Sequence, residues 1–203
     1  TKLVLDLILV TVYCHEYQVE HEFGEGHYFI AENGTYVAHE DVAKFQRDDK
    51  NLDENFQDLK EVEAVRGNTM KDAVQLHGLP LWRQMKDVLM KNEKGELILA
   101  VIRGDLEVNE TKLMRVTGAY SLEPATVEEI MALGSEPGFI SPVGLKGKLK
   151  IVGDLSLRTV RNMYGGMNKK HADALNMNID RDYQVDVEAD IAMAQDGFMT
   201  EDG

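Results

Sequence analysis

Apolar positions along the chain switch between strand-like and helix-like spacing. Leu3 to Val12 is rich in Val, Leu and Ile, interrupted by Asp6, and His15 to Glu20 alternates around Tyr17 and Val19. This pattern predicts two strands, or one bent strand, at the start. Gly24-Glu-Gly26 then turns into Tyr28-Phe-Ile30, a hairpin-like return. From Glu40 to Leu59 the spacing is helical but very polar, and Asp48 to Glu54 reads as a loop or mobile linker. A domain boundary is therefore expected near Asp58.

Thr69-Met-Lys-Asp72 has the spacing of a helix N-cap; the helix runs over Ala73, Val74 and Leu76 and stops at His77-Gly78, before Leu79-Pro80. Met85 to Met90 and Leu97 to Ile102 predict a hairpin around Asn92-Glu-Lys-Gly95. Thr126-Val-Glu-Glu129 is a second capping box, opening a short helix to Leu133. Leu149 to Val152 reads as a strand, Leu155 to Tyr164 has helical spacing, and Ala174 to Ile179 returns to strand. Strands and helices mixed without regular alternation predict an α+β domain, with a mixed, largely antiparallel β-sheet and flanking helices. The chain shows no internal repeat.

With 203 residues and 43% apolar content, it can bury one sizeable core. A single cysteine, Cys14, excludes an internal disulfide framework and an all-cysteine zinc site, which points to a reducing compartment, the cytoplasm. Leu3 to Tyr13 is far too short to span a membrane, and no signal-peptide pattern is present, so no membrane partner is expected. A formal charge of −14 argues against nucleic-acid binding through bulk electrostatics. The charge is uneven, however: Lys146, Lys148, Lys150, Arg158, Arg161, Lys169 and Lys170 face only Asp154 in their stretch. That track is either a surface for an RNA end or a solvated loop and helix face.

Candidate chemistry concentrates in two places. Gly138 to Pro142 can form a rigid cradle of exposed backbone N–H groups: Gly138 permits close approach to a ligand and Pro142 fixes the exit angle, with Phe139, Ile140 and Ser141 between. An ordinary turn is the other reading of such spacing. Upstream, Lys112 lies three residues after Asn109, on what should be the first turn of a helix. It either holds a terminal phosphate or ribose or is a solvated surface lysine. Asp105 either caps this helix or orients Lys112, and Asp154 either reads a substrate amino group or N-caps the next helix.

Arg103-Gly104-Asp105 followed by Asn109-x-x-Lys112, with Pro137-Gly138-Phe-Ile-Ser-Pro142-Val-Gly beyond, resembles the insertion (editing) domain of bacterial prolyl-tRNA synthetase. The similarity covers nearly the whole chain. His15-Glu-Tyr-Gln-Val19 and Tyr36-Val-Ala38 resemble synthetase scaffold. Glu61-Val-Glu63 through Thr69, then Leu79-Pro80 and Lys86, are similar to the first helix and first long strand of the editing domain. The helix near Leu155, Gly166-Met-Asn168 and Asn178-Ile-Asp-Arg-Asp182 also match. The implied organisation is a synthetase-like segment over residues 1–58, an editing domain over 59–195 and an acidic tail over 196–203.

The implied activity is hydrolysis of alanine mischarged onto the proline tRNA, Ala-tRNA(Pro). The ester is held against the Gly-x-x-x-Pro loop, and the tRNA's own terminal ribose hydroxyl assists attack by water. No metal or cofactor is implied. Lys112 and Gly138 to Pro142 would carry catalysis, with Asp105, Asn109, Asp154, Asn168, His171 and Asp173 around the substrate. Asp173 stands where many members have histidine, with His171 two residues earlier, and the threonine usual beside Lys86 is absent, Met85 and Asp87 flanking it; these departures imply either a change in which amino acid is removed or weaker activity. Implied partners are the acceptor end of tRNA(Pro) and the rest of the synthetase, a homodimer when whole. Adenylate-binding elements are missing, so aminoacylation is not expected.

Other constellations are weaker. His15, His21, His27 and His39 lack the offset of two zinc ligands on one helical face, and neither a nucleophile elbow nor a phosphate-cradling loop occurs. Two functions compete with the deacylase: a non-catalytic insertion that binds tRNA or shapes its synthetase, and a free-standing deacylase for another small amino acid, such as one acting on Cys-tRNA(Pro).

Overall fold

The apolar start of the chain forms two strands, β1 (Leu3–Leu9) and β2 (Val12–Gln18), paired antiparallel with Leu9 opposite Val12. The computed structural model describes residues 3–9, 12–18 and 26–201; the side chains of Cys14 and His15, the turn residues Gly24 and Glu25, and His21 lie outside the described set. A second hairpin pairs β3 (Tyr28–Ile30) with β4 (Val37–His39). Both belong to a smaller unit, Thr1–Phe45 with Ala194–Gly203, in which Phe45 packs on Phe198 at 4.6 Å between ring centroids. Residues 196–203 thus fall within this unit.

The larger unit, Gln46–Met193, starts before the boundary expected near Asp58. No helix forms between Glu40 and Leu59. The polar side chains there bond far along the sequence instead. Asn51 brackets the backbone of Arg161, donating to its carbonyl at 3.0 Å and accepting from its N–H at 2.9 Å. Glu54 receives both Arg83 Nη atoms at 3.1 and 2.7 Å. These bonds satisfy a segment with little apolar surface to bury.

After β5 (Lys60–Glu63) comes α1 (Met70–His77), capped reciprocally by Thr69 and Asp72 and closed by Gly78 at φ 64°. The predicted hairpin is β6 (Met85–Asn92) and β7 (Leu97–Arg103). Then follow α2 (Glu110–Thr117), β8 (Leu122–Pro124) and α3 (Val127–Ala132). The last strands are β9 (Lys150–Asp154), β10 (Met163–Gly166), β11 (Ala172–Met177) and β12 (Val187–Ala189). Leu155 to Tyr164 is not a helix: a 3-10 turn over Leu155–Thr159 gives way to β10, with Asn162 at φ 55° between them.

A five-stranded sheet runs β12-β9-β7-β6-β8 and a three-stranded antiparallel sheet β10-β11-β5. In the larger sheet β12, β9 and β7 are parallel and the others antiparallel. Met85, Leu89, Leu99, Val101 and Ile151 share one core with Met163, Ala174 and Met177 of the smaller sheet. On the opposite face Met90, Ile98, Ala100 and Val152 pack with Leu113 of α2. Burial on both faces explains the unbroken apolar run of β7. Strand β8 pairs with β6 only at Met90–Asn92, leaving the β6 edge from Lys86 to Val88 without a strand neighbour on that side.

Candidate active site

Beside that uncovered stretch lies a cavity of about 210 Å³, whose walls include Arg66, Asn68, Lys86, Asp87, Gly138 and Ile140. Its far wall is the predicted loop. Gly138 sits at φ 80°, a conformation glycine adopts without the usual side-chain penalty. The Phe139 N–H donates to Glu136 O at 2.9 Å and the Ser141 N–H to Asn168 Oδ1 at 2.9 Å. Alternating with these tethered amides, the N–H groups of Gly138, just before Phe139, and of Ile140 have no protein acceptor, and both residues line the cavity. Two unclaimed donors on one rigid loop are what a developing oxyanion requires.

Asn168 holds the loop. Its Oδ1 accepts from Ser135 Oγ at 2.8 Å as well as from Ser141, its Nδ2 donates to the carbonyls of Ser141 at 3.0 Å and Val143 at 2.9 Å, and its own N–H reaches Phe139 O at 2.7 Å. Every hydrogen-bonding position of the amide side chain is used. Ser141 and Pro142 are buried behind the loop. The Phe139 backbone passes so close to Gly166 that a Cβ there would lie 2.3 Å from the Phe139 carbonyl carbon.

Arg66 braces the same loop from the side. Its Nη2 donates to Gly138 O at 3.2 Å and its guanidinium lies 4.3 Å from the centre of the Phe139 ring. Asp173, wholly buried, accepts from Arg66 Nε at 2.7 Å and Nη2 at 2.6 Å and bonds His77 Nε2 at 2.8 Å. Asp173 is therefore a support for Arg66 rather than a wall of the cavity. His171, at φ 58°, meets the Phe139 ring edge-on, 6.1 Å between centroids, and is exposed.

The other expected residues sit outside the cavity wall, each engaged elsewhere. Arg103 donates to both oxygens of Asp105, at 2.7 and 3.1 Å, and Gly104 is glycine because a Cβ would meet Leu81 O at 2.5 Å. Asn109 N-caps α2 through the Lys112 N–H at 2.9 Å. Asp154 caps the following turn at Ser156, 2.8 Å, and accepts from Ile191 N at 3.0 Å. Lys112 is not a solvated surface lysine: it is 5% exposed, its Nζ bonded to both oxygens of Asp190 at 3.1 and 3.0 Å and to Ala192 O at 2.7 Å. Burial pushes its ammonium below the usual range, against the pull of Asp190. The motif residues thus knit β7, α2 and the chain after β12 together. Lys112→Ala should lower unfolding free energy by about 1–3 kcal/mol in urea titrations, with any loss of activity following the loss of folded protein.

Lys86 and Asp87, absent from the sequence-derived site, stand in the cavity instead. The available signal was the pair's place near the start of β6, where Asp87 falls in the inward register of Met85 and Leu89. Lys86 Nζ also touches Leu106 O at 3.3 Å. A larger cavity of about 590 Å³, bounded by Phe56, Arg158, Arg161 and Arg181, contains none of the loop residues. Among the described residues, no group of three or more His, Cys, Asp or Glu side chains is arranged to hold a metal ion.

Residues 65–179, which include every named wall residue of the smaller cavity, match the family model of the aminoacyl-tRNA editing domain. The chain belongs to this family. The chain is 34% identical over 185 residues to a proline--tRNA ligase of a Sulfurihydrogenibium species, covering 91% of this chain and 32% of that protein. It is 35% identical over 186 residues to the proline--tRNA ligase of Fusobacterium nucleatum, with 90% and 32% covered. The chain thus spans about a third of the length of these relatives, 32%. A solved candidate trans-editing enzyme for prolyl tRNA synthetase shares the fold, with a TM-score of 0.54, 24% identity, and 68% of this chain and 87% of that one covered.

Proposed function

We propose that this editing domain is a deacylase that hydrolyses Ala-tRNA(Pro) as part of a cytoplasmic prolyl-tRNA synthetase. The observation that carries the reading is the 210 Å³ cavity closed by a loop with two unclaimed amides. Its volume lies below the span of about 300–1,000 Å³ usual for ligand pockets, suiting a small acyl group rather than a whole nucleotide. The ester carbonyl oxygen lies against the Gly138 and Ile140 amides. Water, oriented with help from the ribose hydroxyl of the tRNA terminus, adds to the carbonyl carbon. The tetrahedral oxyanion collapses, the ester C–O bond breaks, and alanine and the tRNA hydroxyl separate. An aminoacyl ester is already activated, so this route asks the protein for oxyanion stabilisation and water placement and is metal-independent.

Lys86, at the cavity wall, is paired with the exposed Glu107 and exchanges that partner for the terminal phosphate or ribose. Proline is rejected by size, a second sieve where binding differences alone discriminate poorly. The remainder of the synthetase, as a homodimer, supplies the rest of the tRNA contact. The test is deacylation of Ala-tRNA(Pro) and Pro-tRNA(Pro) at high enzyme concentration. We expect selective loss of alanine, slowed on the order of ten- to a hundredfold by Lys86→Ala. No hydrolysis of any aminoacyl-tRNA, with tRNA binding intact, would leave the non-catalytic insertion as the function.

A further inference from the structure

One wall residue of the cavity has no part in that scheme. Asp87 lies on the face of β6 that carries Met85 and Leu89 into the core, yet it also lines the cavity. Its Oδ1 is buried without a hydrogen-bond partner. The nearby cations do not serve it. Arg66 spends its donors on Asp173, Gly67 O and Gly138 O, and Lys86 Nζ is held by Glu107 and Leu106 O. Tyr183, the other group whose charge state is linked to Asp87, is also buried with an unpartnered hydroxyl.

A carboxyl sunk in a wall with no donor costs stability, and folded chains keep such groups where a ligand completes them. Burial alone pushes the Asp87 carboxyl well above the usual carboxylate range. The missing partner must reach from the cavity, carry N–H donors and, best, a positive charge. An acyl group with a free α-ammonium has all three; an acyl group with a hydroxyl or an acylated nitrogen does not.

We propose that Asp87 is the specificity-determining residue that reads the free α-ammonium group of the acyl moiety, so that the cavity accepts aminoacyl and refuses hydroxyacyl or N-acylated esters. This rests on the reading of the cavity as the acyl site. The ammonium forms a charge-assisted hydrogen bond to the carboxylate, supplying the countercharge that the protein withholds. Hydrogen bonds to charged groups of this kind are worth about ten- to a hundredfold in affinity.

The experiment compares two hydrolysis-resistant probes by calorimetry: the alanyl amide of aminodeoxyadenosine and its lactyl counterpart, in which a hydroxyl replaces the ammonium. The wild-type chain should prefer the alanyl probe by about tenfold or more. Asp87→Asn should bind both alike, with the affinity for the lactyl probe kept. It should also melt no lower than wild type, because it removes an unpaired buried acid, so lost preference cannot be lost fold. A preference unchanged in Asp87→Asn, no preference in the wild type, or no binding of either probe would each overturn the proposal. The deacylase reading stands or falls separately. Preference without hydrolysis removes the enzyme and keeps Asp87 as the reader, whereas hydrolysis without preference does the reverse.

Discussion

Asp173→Ala is expected to cost the fold about 3–5 kcal/mol, the usual penalty for removing one partner of a buried ion pair. The Asp173 side chain is 0% exposed, with Arg66 at 4% and His77 at 9%. The aspartate accepts three hydrogen bonds, two from Arg66 at 2.7 and 2.6 Å and one from His77 at 2.8 Å. Alanine leaves the guanidinium buried without its anion, and Arg66 is also what touches Gly138 O and the Phe139 ring. Two readouts should therefore move together: the denaturant midpoint, and deacylation per folded molecule. A variant as stable as wild type would show that the network is dispensable.

Gly138→Ala should act the other way round, with a large loss of activity and a modest loss of stability. Its φ of 80° places alanine in the left-handed region, and its Cβ would stand 2.6 Å from Asn68 Cβ and Cγ. The backbone strain is about 1–2 kcal/mol. Either Asn68 or the loop must give way; where the loop moves, the two unclaimed amides move with it, and a displacement near 1 Å at such a site costs about a hundredfold in rate. Gly144 provides the control, since it has φ 73° and nothing within 4 Å of its would-be Cβ. Gly144→Ala should lose similar stability while keeping deacylation near wild type. Equal activity losses in the two variants would mean that loop strain, not donor position, governs the effect.

What could be read in the sequence was set by how far each residue's partner lies along the chain. Thr69 with Asp72 and Thr126 with Glu129 act three residues apart, so both capping boxes were visible and form. The hairpin turn ending at Gly95 was visible for the same reason. Leu155 to Tyr164 misled because Leu157, Val160 and Tyr164 mimic helical spacing while a turn and a strand deliver them to the core by another path. In the site, Gly138 and Pro142 betray the loop by composition alone. Its brace does not, since Arg66 and Asp173 are 107 residues apart. The engagement of Lys112 was hidden on similar grounds: its partner Asp190 lies 78 residues on, and a lysine beside an N-cap looks free until that partner arrives.

The saturation of Asn168 also bears on how the cavity measures what enters it. Its side-chain oxygen accepts two hydrogen bonds and its nitrogen donates two, all to the helix-to-strand loop from Ser135 to Val143. Nothing is left over to exchange for a contact with the guest, so the wall is set before any guest arrives and binding pays little to order it. A gauge that stretched would pass proline as readily as alanine; one amide with no spare valence keeps it stiff.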